Sequence, residues 1–345
     1  MTGLYIHVPF CVRKCPYCDF YSEKFSRAES ENYVSAVIRN LARYPEKFGT
    51  VYFGGGTPAL ICPQISGILR EIDISDGAEI TVECNPDVVN GDILAVLKNA
   101  GVNRISFGVQ SLNESELSAL GRLHGAESAE KAILQAFSAG FRNISADIML
   151  GIPNQTEKSL IGTIDRLAEL PLTHISAYLL KIEQNTPFGK NPPAVPDEEQ
   201  QAALYLAAVR RLEEHGFRQY EISNFAKDGF QSQHNLIYWN AGEYVGIGPA
   251  AHSYYNGKRF AVPRNLADFI GNDAQNEVIT DENPDVYEEK IMLGLRLSRG
   301  ISLDERIERR LRLIPSEYYC IKDGRISLTP KGFLVSNEII STILA

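Results

Sequence analysis

The sequence predicts an α/β protein: a partial (β/α)6 barrel, TIM-like in layout, followed by a smaller α+β C-terminal domain. Three observations predict it. Short β-prone runs near residues 5, 52, 81, 106, 146 and 177 alternate with amphipathic stretches, the pattern of a parallel sheet with crossover helices. The chain also repeats itself. Ala100-Gly-Val-Asn-Arg-Ile105-Ser-Phe107 aligns with Ala139-Gly-Phe-Arg-Asn-Ile144-Ser-Ala146, and Leu172-Thr-His-Ile-Ser-Ala177 is a weaker third copy. The spacing of 39 residues from Ile105 to Ile144 suits one βα unit. Finally, polar groups stand where successive strands end, and that rim is where α/β barrels hold their sites.

The elements follow in order. Leu4 to Val8 is the first strand and delivers a cysteine-bearing loop. Asn32 to Tyr44 places Tyr33, Val34, Val37, Ile38 and Leu41 at helical spacing. Thr50 to Phe53 is a strand that runs into a Gly54-Gly55-Gly56-Thr57-Pro58 turn, and Glu79 to Glu83 is a strand closed by Asn85-Pro86. In the two stronger repeats a glycine follows the amphipathic run, as a helix C-cap requires. From Asp197 the pattern changes, so the chain divides into residues 1–196, the partial barrel, and 197–345, the C-terminal domain. In the second part Glu198 to His215 reads as a helix and Phe217 to Phe225 alternates like a strand. Val245-Gly-Ile-Gly-Pro-Ala-Ala-His252-Ser-Tyr254 reads as a glycine-rich turn at the barrel mouth. Helices are expected around 285–297 and 303–311, and Ile326 to Ser341 is expected to be a winged-helix-like tail.

Composition narrows the function. Apolar residues are 44% and charged residues 22% of the chain, which excludes wholesale disorder and collagen-like structure. A net charge of −9 argues against a nucleic-acid partner. No run of 18 apolar residues offers a membrane span, and the first residues lack the pattern of a signal peptide. The expectation is a cytoplasmic protein with at most peripheral membrane contact.

Three of the six cysteines cluster as Cys11-x3-Cys15-x2-Cys18, while Cys62, Cys84 and Cys320 stand alone and read as small buried hydrophobes. Three thiolates on one loop suit a soft metal centre. Structural zinc wants four ligands, which here requires a distant fourth. An iron–sulfur cluster accepts three, leaving one iron open.

The segment Tyr5-Ile-His-Val-Pro-Phe-Cys11-x3-Cys15-x2-Cys18 resembles the opening of the radical S-adenosylmethionine (SAM) superfamily. More narrowly it resembles the branch holding the oxygen-independent coproporphyrinogen III dehydrogenase and the haem-chaperone family HemW. The resemblance implies a [4Fe–4S] cluster on Cys11, Cys15 and Cys18 with SAM on its open iron. It assigns SAM contacts to Tyr5, Gly55, Gly56, Thr57, Glu83, Gln110, Arg122 and Asp147, with Tyr17 beside the adenine. Residue chemistry agrees without requiring it. Glycines let backbone approach a ligand, Gln110 offers donor and acceptor, and Arg122 can clamp a carboxylate. The plainer roles are a tight turn at the glycines and a salt bridge or helix cap at Glu83. His124 reads as a surface or capping histidine, and His7 and His174 as core residues. No residue is assigned a catalytic role.

Two features separate the relatives. The dehydrogenase carries a fourth cysteine two positions after the third, where this chain has Phe20. His234-Asn-Leu-Ile-Tyr238-Trp239 resembles the signature of the HemW family. The resemblance therefore implies a haem chaperone, compatible with a homodimer, that binds haem as cargo and passes it to haem-dependent respiratory proteins. The alternative is SAM-dependent radical decarboxylation of coproporphyrinogen III. His234 could supply an axial imidazole, and Tyr238 and Trp239 stacking faces. The plainer reading is that His234-Asn235 caps a turn while Tyr238 and Trp239 pack a domain junction.

Overall fold

Alternation within the strands shapes this molecule, described over residues 1–345 by a computed structural model. In β1 (Thr2–Val8), Leu4, Ile6 and Val8 are buried beneath helices while Gly3, Tyr5 and His7 take the other face. The same polarity recurs in β2 (Phe48–Gly55), β3 (Ile74–Cys84), β4 (Arg104–Gln110), β5 (Asn143–Leu150) and β6 (His174–Leu179). Tyr5 pairs with Tyr52, Thr81 with Arg104, Ser106 with Ser145, and Asp147 with Ser176. Paired residues share a face, so these form a continuous polar lining. The opposite face pairs Leu4 with Val51, Phe53 with Val82, Ile105 with Ile144 and Ala146 with Ile175, and merges with the helices into a 69-residue apolar core. The barrel is thus polar inside, unlike TIM barrels filled by Val, Ile and Leu. Burying polar groups is costly unless they find partners, and here Ser106 bonds to Asp147, Ser145 to His174, and Arg104 lies against Glu79.

All six expected strands are present and parallel. A seventh, β7 (Tyr244–Ile247), lies parallel to β1 with Leu4 opposite Val245. This corrects the reading of Val245–Tyr254 as a turn: strand runs to Ile247 and resumes at His252, and only the stretch between them turns, starting at Gly248, where φ is +110°. Glycine at 246 disguised the strand. It is needed because a Cβ there would lie 2.2 Å from the His252 carbonyl oxygen. The sheet continues antiparallel through His252–Tyr255, Lys258–Ala261 and Val278–Asp281 on the β7 side. On the β6 side it continues through Asn224–Ala226 and Arg218–Gln219, giving twelve strands drawn from both sides of residue 197.

The single strand expected over Phe217–Phe225 is instead a hairpin of those last two short strands, with Phe225 opposite Gln219. Its turn is organised by the buried Glu221 carboxylate, which accepts from the Ser223 N–H at 3.0 Å and from the Asn224 side chain. The repeat glycines do close helices. Gly101 and Gly140 have φ of +98° and +92° after helices Gly91–Asn99 and Ala126–Ser138. Val102 N–H then reaches back to Leu97 O, and Phe141 N–H to Ala136 O, as a Schellman motif requires. The tail is a three-stranded antiparallel sheet carrying helices Glu305–Leu311, Pro330–Leu334 and Ser336–Leu344. Cys62 and Cys84 are buried as expected, but Cys320 is exposed. No helix is long and apolar enough to cross a membrane.

Candidate functional site

Strand ends assemble the rim. The loop after β1 carries Cys11, Cys15 and Cys18, all partly exposed. It rests on the end of β2, where Gly56 N–H donates to Val8 O at 2.8 Å and Thr57 N–H to Phe10 O at 2.7 Å. That close seat explains the glycines. A Cβ on Gly56 would sit 2.5 Å from Phe10 O, and Gly55 has φ +109°. Thr57 Oγ1 lies 3.7 Å from Cys11 Sγ. Structural zinc wants four ligands, and the loop offers three thiols. A [4Fe–4S] cluster accepts three, each on a different iron.

A cavity of about 140 Å³ opens beside the loop, lined by the three cysteines with Tyr17, Gly55, Gly56, Glu83, Gln110, Arg122 and Asp147. Arg122 bridges it. Its Nη2 donates to Gly108 O at 2.7 Å and Asn85 Oδ1 at 2.8 Å, and its Nη1 lies 3.5 Å from Cys15 Sγ and 3.4 Å from Tyr17 Oη. Its Nε is buried without a partner. Glu83 accepts from Tyr52 Oη at 2.7 Å and from Gly55 N–H at 3.2 Å. Burial still pushes its carboxyl up to about 7. Burial also raises Asp147, although Ser106 Oγ donates to it at 3.3 Å. Gln110 has φ +68° at a one-residue register break after Gly108, a bulge that re-aims the strand end. Tyr178 Oη donates to Gln110 Oε1 at 3.0 Å.

Two expected contacts lie outside the cavity lining. Thr57 is buried behind it, accepting from Asn85 Nδ2 at 2.9 Å, and Tyr5 bonds through its hydroxyl to His7 Nδ1 at 3.0 Å. Sequence reasoning missed Asn85, Gly108 and Tyr178, which also line the cavity. The inward alternation Ser176–Tyr178, opposite Asp147 and Met149, was the available signal. His124 is neither a surface nor a capping residue. It is buried, with Nε2 donating to Val109 O at 3.0 Å and Nδ1 3.7 Å from Asp87. His7 and His174 are buried and bonded on both ring nitrogens, to Tyr5 and Tyr21 and to Ser145 and Tyr220.

The histidine–tyrosine–tryptophan segment does not line the cysteine cavity. Gln233–Trp239 is a short helix that closes the opposite, N-terminal end of the barrel. Ser232 caps it, and Glu79 on β3 accepts from the Gln233 and His234 N–H groups at 3.2 and 3.1 Å. Arg104, buried beside it, has Nε 4.0 Å from Glu79 Oε2. His234 is 1% exposed, and its ring bonds to Thr50 Oγ1 at 2.7 Å and Tyr238 Oη at 2.6 Å. In this conformation it offers no free nitrogen to an iron. Tyr238 meets Tyr244 edge to face, centroids 4.5 Å apart, and Trp239 lies beneath the Arg296 guanidinium.

Comparison with known proteins gives one result. The radical SAM superfamily profile matches residues 5–167. The haem chaperone HemW of Bacillus subtilis (strain 168) is 35% identical over 100% of this chain and 99% of its own. HemW of Escherichia coli (strain K12) is 40% identical over 72% of this chain and 69% of its own. The solved coproporphyrinogen III oxidase HemN of Escherichia coli, a radical SAM enzyme, superposes with a TM-score of 0.80 at 20% identity, over 99% of this chain and 89% of its own.

Proposed function

The chain belongs to the HemW family of the radical SAM superfamily, and on that premise we propose that it is a haem chaperone carrying a [4Fe–4S] cluster and a SAM site. The observation that carries the reading is identity of 35% to a haem chaperone over the whole length of both chains. In this reading haem-dependent respiratory proteins are the acceptors. Transfer takes place in the cytoplasm, with at most peripheral membrane contact.

The residues at the rim fit the two groups. Cys11, Cys15 and Cys18 supply soft thiolates from one loop, and Arg122 brings a cation to Cys15 with a buried donor to spare. Thr57 backs Cys11. When bound, the cluster and SAM supply one-electron cleavage of the sulfonium. The chain's own part is to bind, orient and exclude water. Glu83, held by Tyr52 and Gly55, is placed to accept an ammonium or a ribose hydroxyl. Asp147 and Gln110 stand ready as further hydrogen-bonding groups, and Tyr17 forms one wall. A small apolar cluster of Leu120, Met149, Ile152, Leu180 and Phe188 packs beneath Tyr17 and Tyr178 and dries that side.

The second reading, radical decarboxylation of coproporphyrinogen III, has the HemN fold in its favour. Against it stands Phe20, 65% exposed on the rim where that enzyme branch carries a cysteine. Anaerobic titration of the cluster-reconstituted protein with haem, followed by the Soret band, tests the proposal. Saturable, stoichiometric binding supports the chaperone. No specific binding, together with SAM cleavage on coproporphyrinogen III, supports the enzyme.

A further inference from the structure

Beyond Trp239 the motif helix ends against the tail, and between them lies a cleft of about 360 Å³, within the ~300–1,000 Å³ range of small-molecule sites. Its floor is apolar: Ile291, Leu297 and Ile307 are almost fully buried, and Trp239 forms one wall. Its rim is cationic. Lys290, Arg299 and Arg325 face a single carboxylate, Asp304, in a chain whose net charge is −9. That carboxylate is already spent on the Tyr287 hydroxyl at 2.9 Å and the Ile307 N–H at 2.8 Å. The guanidinium groups bond only to neutral oxygens. Arg299 donates to the Asn240 side chain, and Arg325 donates to the carbonyls of Arg299 at 3.0 Å and Gly300 at 2.6 Å. Two arginines without counter-ions above an apolar floor match a flat, apolar ligand bearing carboxylates along one edge.

The lining contains no histidine, cysteine or methionine, and its one tyrosine, Tyr287, has its hydroxyl on Asp304. The cleft therefore reads the periphery of a macrocycle and not a metal at its centre. Resting on the haem-chaperone reading, we propose that this cleft holds the porphyrin. The carboxylates pair with Arg299 and Arg325, and one face lies on Trp239. The iron keeps its axial positions open to the acceptor's own ligand. Cargo held by its edge can be taken at its iron without first breaking a bond to the chaperone.

The test uses the full-length, cluster-reconstituted protein with two probes: haem, read by the Soret band, and iron-free protoporphyrin IX, read by fluorescence. Iron-free porphyrin should bind within a few-fold of haem. Arg299→Glu/Arg325→Glu should weaken both by at least about tenfold, since each lost charge-assisted bond is worth roughly that factor. Arg299→Glu alone, on an exposed side chain, should weaken both in the same direction and serves if the double variant does not fold. Arg142→Glu, the same charge change on an exposed side chain whose contacts are to Phe137 and Phe141, should leave both unchanged. Haem binding undiminished by charge reversal at 299, or haem binding without porphyrin binding, overturns the cleft and leaves the chaperone reading standing. No haem binding by the unaltered protein overturns both.

Discussion

The imidazole of His234 lies on the phenol ring of Tyr52, centroids 5.1 Å apart and 27° from parallel. One residue comes from the second half of the chain and the other from the second barrel strand, so this contact pins the motif helix into the barrel floor. With both ring nitrogens bonded, the histidine acts here as a lock.

Removing the lock should be costly. His234→Ala deletes a buried ring and leaves the Thr50 and Tyr238 hydroxyls unpaired, an expected loss of about 2–4 kcal/mol. Chemical denaturation should show a lower midpoint, and a haem-binding defect in this variant should be judged against that loss. An unchanged midpoint would mean the ring does not sit in the floor.

Glu79 accepts from Ser232, Gln233 and His234 and faces the buried Arg104. Glu79→Ala should cost about 3–5 kcal/mol, because it strands a buried guanidinium as well as three donors. Hydrogen exchange should accelerate across residues 233–239 before the rest of the sheet. Uniform exchange would place the cap elsewhere.

Glu83 sets a pH dependence. Burial holds it at about 7 in the folded protein against 4.5 for a free glutamate. Between those values the folded state binds more protons, so its contribution to stability falls as pH rises through the window. Glu83→Gln removes that slope. In cofactor-free protein the wild type should lose on the order of 1–2 kcal/mol relative to the variant from pH 4.5 to 7, reduced from the full shift because the carboxylate borders an open cavity. The difference is the quantity to measure, since His7 and His234, depressed by burial to about 4 and about 3, act with the opposite sign as pH falls below 6.5. A pH-independent difference would contradict the burial of Glu83.

Cys15→Ser should abolish the visible thiolate-to-iron absorbance after reconstitution, and Cys62→Ser should leave it intact. Arg122→Gln removes the cation beside Cys15 and should lower the cluster's reduction potential by on the order of tens of millivolts, read by EPR-monitored titration. An unmoved potential would restrict Arg122 to ligand binding.

The cysteine loop and the rim are legible in the sequence because each depends on neighbours along the chain. Cys11, Cys15 and Cys18 lie within one loop, Glu83 and Gln110 sit at strand ends, and Asp147 lies on the inward face of its strand that period-two alternation marks. Gly101 and Gly140 announce their helix ends for the same local reason. Asn85 escapes such reading because its role depends on Arg122 and Thr57, distant in sequence, and His124 is misplaced by it because its burial is set by Val109 and Asp87.

Sequence by itself determined six barrel strands, the thiolate loop and the polar residues that crown it, all products of spacing between near neighbours. Only the tertiary structure decided that Tyr244–Ile247 joins the sheet beside β1, that His234 is spent in the barrel floor, and that Arg299 and Arg325 overhang an apolar cleft. Those outcomes rest on contacts between segments as far apart as Leu4 and Val245, where hydrophobic burial and the pairing of buried polar groups, not local pattern, choose the partner.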